Sequence, residues 1–250
     1  MTRMTQPLDP ALLLKAYAAG IFPMADGRDA PDVYWVEPRK RGILPLDGFR
    51  LSRSLAKTLR SGRYETTADL AFADVVRLCA EQAADRPSTW INHQIEASVA
   101  LLHAGGHAHS IETWERGRLV GGLYGVKLGR AFFGESMFSR ATDASKVALA
   151  HLVARLRAGG FTLLDCQFIT PHLASLGAIE IDRSAYLAAL VSAVAGVGAG
   201  ADVSAVAGAA PSGDFSALDR LFEAEGSPRK TIVSGPTSGC FIAQALVQTS

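Results

Sequence analysis

GRAFFGESMFS, Gly129 to Ser139, has the aromatic content and alternation of a β-strand, yet it carries a carboxylate in its middle. Phe132, Phe133, Met137 and Phe138 flank Glu135, and a regular pleat would set Glu135 and Met137 on one face. An unpaired charge in an apolar interior costs several kcal/mol, comparable with the net stability of a whole domain. Glu135 therefore has a partner within the fold or is kept for a ligand. Gly134 beside it reads as a bulge, which would let Phe132 share a face with Glu135 despite their opposite parity.

Outward from this strand the pattern is mixed. HAHSIETWE, a turn at Arg116–Arg118 and LVGGLYGVKLG precede it as a meander, with Gly129 turning into AFFGESMFS. DASKVALAHLVARLRAGG follows as a helix, N-capped by Asp143 and stopped by Gly159 and Gly160. FTLLDCQF is a further strand, HLASLGA a short helix and SAYLAALVSAVAG a longer one. Upstream, YETTADL reads as a strand, with helices at AFADVVRLCAEQAA and INHQIEASVALLHAGG. Antiparallel strands, a helix, then another strand with helices packed against them make an α+β arrangement.

The first 63 residues read as a small basic domain. DPALLLKAYAAGIFPM is a helix with Asp9 as N-cap, Pro10 in the first turn and Gly20 at its end. DGRDAPD is a loop, VYWVEP a short strand or edge, and FRLSRSLAKTLRSG a second helix. Residues 64–190 form the mixed α+β domain. Residues 191–250 begin with the Ala/Gly-rich VSAVAGVGAGADVSAVAGAAPSG, read as linker or loosely packed helix, and end in TIVSGPTSGCFIAQALVQTS, which regains apolar patterning and docks as a strand or helix.

At 250 residues, 48% hydrophobic and 20% charged, the chain suits one or two globular domains. MTRMTQPLDPALLL has no secretory h-region with a cleavage site, and no apolar run reaches the length of a membrane span. Cys79, Cys166 and Cys240 have neither metal nor redox spacing and read as reduced thiols of a cytoplasmic protein. Net charge is +1, but residues 1–63 hold 11 Lys/Arg against 6 Asp/Glu, leaving 14 against 18 for the remainder. Arg39–Arg63 contains eight basic residues and the single acid Asp47. That run is a solvated basic face or a surface for a phosphate backbone.

DCQF is a second polar interruption. Asp165 and Gln167 share a strand face while Cys166 and Leu164 turn the other way. Alone it reads as a strand end reaching solvent. With Glu135 on a neighbouring strand, it points to a wet site sunk into an apolar wall. Leu149, Leu152 and Leu156 line one helix face, and Leu123, Met137 and Leu164 add to the wall, which is otherwise simply core. Trp35 and Trp90 lie near element ends, as packing groups or as indoles that stack an unpaired base for about 1–3 kcal/mol each. His107 and His109 share a face, but no third ligand at a usual spacing accompanies them, so no metal is expected. A thiol nucleophile at Cys166 is disfavoured because it points away from Asp165.

AYAAGIFPM, YWVEPR, SRSLAK, TWIN, GHAHSIETW, LVGGLYGV, FFGESMFS, DASK and LLDCQF occur in this order over about residues 8–190. In these motifs the chain resembles the leucyl/phenylalanyl-tRNA–protein transferases of bacteria. The Ala/Gly-rich segment departs from the shorter family members. The resemblance implies that leucine, phenylalanine or, less readily, methionine moves from its tRNA to an N-terminal Arg or Lys of a protein, marking that protein for N-end rule degradation. It also implies a small N-terminal domain followed by an acetyltransferase-like (GNAT) domain, with no cofactor, a monomeric state and a cytoplasmic location.

Position by position, the resemblance makes Glu135 the pocket carboxylate and Asp165 and Gln167 the catalytic pair. Leu123, Phe132, Met137, Leu149, Leu152 and Leu164 would line the side-chain pocket, with Leu123 and Leu152 standing where a relative has methionine and phenylalanine. Trp35 and Trp90 would lie near the terminal adenosine of Leu-tRNA or Phe-tRNA. Arg39, Lys40, Arg41, Arg50, Arg53, Lys57 and Arg60 would hold acceptor-stem phosphates. On this reading Gln167 orients the amine while Asp165 polarises its amide or takes a proton through water. Two other readings stay open: a coenzyme A-dependent acyltransferase, disfavoured because SRATDASK has no glycine to cradle a pyrophosphate, and an RNA-binding module without chemistry.

Overall fold

The computed structural model describes residues 6–81, 88–195, 212–224 and 237–247. Most of the Ala/Gly-rich segment, residues 196–211, lies outside them. The chain opens with α1 (Pro10–Ala18), where the Asp9 carboxylate accepts from Ala11 N, and Gly20 leaves the helix at φ +79°. β1 (Phe22–Met24) and β2 (Tyr34–Val36) pair as a two-stranded sheet. Then come β3 (Lys40–Ile43), α2 (Arg53–Arg60), β4 (Glu65–Ala68), α3 (Phe72–Ala80) and α4 (His93–Ala104).

The meander follows as β5 (Ala108–Glu115), β6 (Arg118–Leu128) and β7 (Ala131–Ser139). Its first turn has two consecutive left-handed residues, Arg116 and Gly117, at φ +51° and +73°. That is the two-residue geometry whose twist suits a hairpin. α5 (Ala144–Ala158) begins at Asp143, whose side chain bonds Lys146 Nζ at 2.8 Å instead of capping the helix as expected; Ser139 Oγ accepts from Ser145 N at 3.3 Å. β8 (Leu163–Gln167), α6 (Pro171–Ser175), β9 (Ile179–Asp182), α7 (Arg183–Val194), α8 (Ala217–Ala224) and α9 (Gly239–Val247) complete the described elements.

The large sheet has the strand order β4-β5-β6-β7-β8-β3-β9, antiparallel except for β7 and β8. The arrangement is α+β, as the residue pattern implied. The first 63 residues contribute to both sheets, because β3 is an interior strand of the larger one. Its Lys40-Arg41-Gly42-Ile43 has too much charge to read as a strand; it holds its place because Arg41 is neutralised inside the sheet layer.

Helices cover both faces. Val147, Leu149, Leu152 and Leu156 of α5, with Leu55 and Leu59 of α2 and Ile242 and Leu246 of α9, form one core. Leu13 and Tyr17 of α1, Val75 and Val76 of α3, Val99 and Leu102 of α4 and Tyr186 and Leu190 of α7 form the other. The closing apolar segment thus docks as a helix.

α8 is held by a buried charge. Arg155 on α5 donates to both carboxylate oxygens of Asp219, at 2.6 and 2.5 Å, and to Phe215 O at 2.6 Å. Asp219→Ala leaves that guanidinium unpaired and is expected to cost about 3 kcal/mol. Urea unfolding measures the loss as a lowered midpoint at unchanged slope.

Candidate active site

β7 and β8 pair along only three positions, Ala131 with Leu163, Phe132 with Leu164 and Phe133 with Asp165. The ladder ends there, and past it Gln167 reaches Glu135 side chain to side chain. At the same level the β6–β7 register shifts: Tyr124 faces Ser136 and Gly125 faces Gly134, so Glu135 is the unopposed residue of a bulge. A bulge re-aims its extra side chain. It also puts Phe132 and Met137 in one apolar cluster, which their odd separation would forbid in a regular strand. The bulge expected at Gly134 is present, but Glu135 does not keep Met137's pleat position; it turns toward Gln167 of β8.

Glu135 is buried and partnered. Its Oε1 accepts from Gln167 Nε2 at 2.9 Å. Burial is the main influence and pushes its pKa up to about 7; Tyr17, Gln167 and Arg41 oppose that rise, while the neighbouring Asp165 charge adds to it. Of the two alternatives, a partner within the fold or a ligand, the fold supplies the partner.

Gln167 ends β8 at φ +60°, a left-handed conformation uncommon for a side-chain-bearing residue. Asp165 holds it there, accepting from Gln167 N at 2.7 Å. The chain also needs Gly42 opposite, where a Cβ would lie 2.9 Å from the Phe168 carbonyl carbon.

Asp165 is the most enclosed charge in the site, with no exposure. Oδ1 accepts from Arg41 Nε at 2.9 Å and from Gln167 N; Oδ2 accepts from Arg41 Nη2 and the Tyr186 hydroxyl, both at 2.7 Å. A carboxylate offers about four lone-pair positions. All are occupied, which leaves none for a proton passed from an amine or for the Gln167 amide group.

Arg41 is accordingly corrected. It is 2% exposed, lies over the Phe22 and Tyr186 rings at 4.5 and 4.7 Å, and donates to Gly20 O at 3.2 Å. It cannot reach a phosphate, and it ties the end of α1 to the sheet. The other basic positions, Arg39, Lys40, Arg50, Arg53, Lys57 and Arg60, are exposed, with Lys40 paired to Glu180 at 3.1 Å. On α2, Arg53, Lys57 and Arg60 recur on the face opposite buried Leu55, Ala56 and Leu59.

The apolar positions cluster. Leu123, Phe132, Leu149, Leu152 and Leu164 are buried in one core, and half-buried Met137 packs against it opposite Leu123. Trp35 stands 41% exposed on β2, opposite Pro23. Trp90 is half-buried, and its carbonyl accepts from Ala25 N at 3.1 Å, beside the same small sheet. His109 is engaged with Asp69 at 2.7 Å and stacked on Phe215. Burial pushes the Cys166 thiol up to about 12, so it stays protonated near neutrality.

Two residues of the network, Tyr17 and Tyr186, carry no signal of their own in the sequence. Both sit in helices whose apolar patterning hides a hydroxyl; that of Tyr186 donates to Asp165 Oδ2.

Family models for the leucyl/phenylalanyl-tRNA protein transferase and for its N-terminal domain match residues 43–191 and 6–39. A leucyl/phenylalanyl-tRNA–protein transferase of Rhizorhabdus wittichii is 65% identical over 97% of this chain and 99% of its own. Those of Zymomonas mobilis and Paramagnetospirillum magneticum are 66% and 59% identical over 76% of this chain, covering 71% and 91% of theirs. These matches establish that the chain belongs to the leucyl/phenylalanyl-tRNA–protein transferase family.

Proposed function

We propose that this chain transfers leucine, phenylalanine or, less readily, methionine from its tRNA to the N-terminal Arg or Lys of acceptor proteins, as a cytoplasmic monomer without a cofactor. The observation that carries the reading is the Gln167–Glu135 contact at 2.9 Å, set where the β7–β8 ladder ends. We read the mixed sheet, with its parallel pair β7–β8 among antiparallel neighbours, as that of an acetyltransferase-like domain. Among the described residues no helix is long and apolar enough to cross a membrane.

An aminoacyl ester is already activated, so no covalent nucleophile is required. The neutral α-amine of the acceptor attacks the ester carbonyl; the C–N bond forms, the C–O bond breaks, and the terminal ribose oxygen leaves with the proton the amine gives up. Holding the two reactants at attack distance is worth about 7–11 kcal/mol. Gln167 Oε1 accepts an N–H of the amine and aims its lone pair. Asp165, with every lone pair occupied, is a positioning residue that fixes the Gln167 backbone.

The leucine side chain lodges against Leu123, Phe132, Met137, Leu149, Leu152 and Leu164. Met137, half-buried and unbranched, adjusts to admit the larger phenylalanine. The terminal adenosine stacks on Trp35 or Trp90, and the exposed cations of residues 39–60 other than Arg41 hold acceptor-stem phosphates without reading sequence.

The deciding experiment is transfer of labelled leucine from Leu-tRNA to a protein beginning with Arg, beside Met- and Ala-started controls. Label in the Arg-started protein alone is expected; equal labelling of all three, or none, defeats the reading. Replacing Arg53, Lys57 and Arg60 together with alanine is expected to weaken tRNA binding and lower its salt slope by roughly two to three. An unchanged slope would place the tRNA elsewhere.

A further inference from the structure

We propose that Phe215, in the segment leading into α8, is a positioning residue for the side-chain pocket: it backs Phe132 and so sets how readily phenylalanine is admitted beside leucine. The proposal rests on the transferase reading above and gives the part of the chain beyond α7 a role in substrate choice.

The apolar wall is closed. Phe132 has no exposure, and Leu123, Leu149, Leu152 and Leu164 have 3% or less. An interior packed this densely holds no spare volume for another side chain. An incoming leucine or phenylalanine therefore enters only as far as wall residues recede. Met137 is half-buried and unbranched, and it yields readily. Phe132 is the largest group of the wall, and what stands behind it decides how far it retreats.

Three neighbours enclose Phe132. A Cβ at Gly125 would collide with Phe132 Cε1, so the ring rests against the β6 backbone there. Phe161 meets it edge-on, with 6.5 Å between centroids. The Phe215 ring lies nearly parallel to it, at 5.8 Å and 10°. The strand backbone does not move aside, whereas Phe215 stands on a separate, docked segment.

That segment is held firmly. The His109 ring stacks on Phe215 at 4.0 Å, and Asp69 Oδ2 fixes His109 Nδ1 at 2.7 Å. Arg155 Nη1 donates to Phe215 O at 2.6 Å, and the guanidinium carbon lies 5.0 Å from the ring centroid. Gly213 N donates to Gly129 O and Asp214 N to Gly159 O, each at 2.9 Å. These bonds seat the segment against the β6–β7 turn and the end of α5. Gly159 permits the approach, since a Cβ there would collide with Asp214 O. Phe215 is thus a fixed stop for Phe132.

Phe215→Ala removes the stop, and Phe215→Leu trims it. Transfer to an Arg-started peptide from Leu-tRNA and Phe-tRNA in direct competition gives the ratio of their kcat/KM values. Phe215→Ala is expected to raise the Phe-to-Leu ratio roughly tenfold, with Phe215→Leu between it and the wild type. A smaller folded fraction scales both substrates alike and leaves the ratio where it was. Calorimetric Kd values for leucyl- and phenylalanyl-adenosine analogues, with a 3′ amide in place of the ester, should change in the same order without any turnover.

A ratio that stays put or falls, in either assay, overturns the proposal. Wild-type protein that binds the analogues but transfers from neither tRNA would defeat the transferase reading, and the binding ratio would still decide the part played by Phe215. Wild-type protein that does neither defeats both.

Discussion

Asp165→Ala is expected to cost about 3–5 kcal/mol of stability and to abolish transfer. The large stability effect comes from the residue left behind. Arg41 is as buried as the hydrophobic core, and Asp165 is its anionic partner within hydrogen-bonding distance. Removing the carboxylate leaves a desolvated guanidinium, an unpaired Tyr186 hydroxyl and a free Gln167 N–H. A typical domain has only about 5–15 kcal/mol in hand. Arg41→Ala should be nearly as damaging, because it strands the carboxylate.

Replacing both residues with leucine removes both charges together, and the double variant should be more stable than either single alanine variant. Urea midpoints of the three proteins provide the measurement. A wild-type midpoint for Asp165→Ala would show that the pair is not the lock described here. The double variant should still lack activity, since Gln167 loses the contact that holds its left-handed backbone.

The same pair marks the boundary of what local sequence reading could reach. Glu135 and the Asp165-x-Gln167 step were legible because a polar residue inside an apolar strand is a local contradiction. The meander and α5 were legible because their turns, the apolar periodicity of the helix and its Gly159–Gly160 stop are written in adjacent residues. Arg41 was misread because it sits in a run of eight basic residues and its partner lies 124 positions away. Nothing in Lys40-Arg41-Gly42-Ile43 distinguishes a buried cation from its exposed neighbours.

β3 was missed for the same reason, since a strand bearing two charges looks like surface until the neutralising strand is known. Tyr17 and Tyr186 were hidden for the converse reason: a tyrosine on an apolar helix face satisfies the packing pattern whether or not its hydroxyl has work to do. At Glu135 the local sequence announced a bulge through Gly134. The direction in which the carboxylate emerges depends on where the β7–β8 ladder ends, which is a long-range property.

Glu135→Gln is expected to separate stability from function. Folding carries this carboxyl from its ordinary 4.5 to about 7, chiefly through burial. An acid whose pKa is raised in the folded state binds its proton there more tightly than in the unfolded chain. Its stabilising contribution is complete below about pH 4.5 and is lost as pH rises to about 7; above that, ionisation costs the fold about 3 kcal/mol. Glutamine cannot ionise, has nearly the same shape and can still accept from Gln167 Nε2 through its own oxygen. The variant should therefore lose this pH-dependent destabilisation and be the more stable protein at pH 8, while the two converge towards pH 5.

Transfer should move the other way. Without a fixed negative charge, the Gln167 amide has two comparable orientations, and a misplaced group near the reacting atoms costs roughly a hundredfold in rate. Unfolding midpoints at pH 5 and 8, measured beside single-turnover transfer at pH 8, would decide the matter. A stabilised but nearly inactive protein is expected. A variant as active as wild type, or one destabilised at pH 8, would mean that the buried carboxylate serves the fold rather than the reaction.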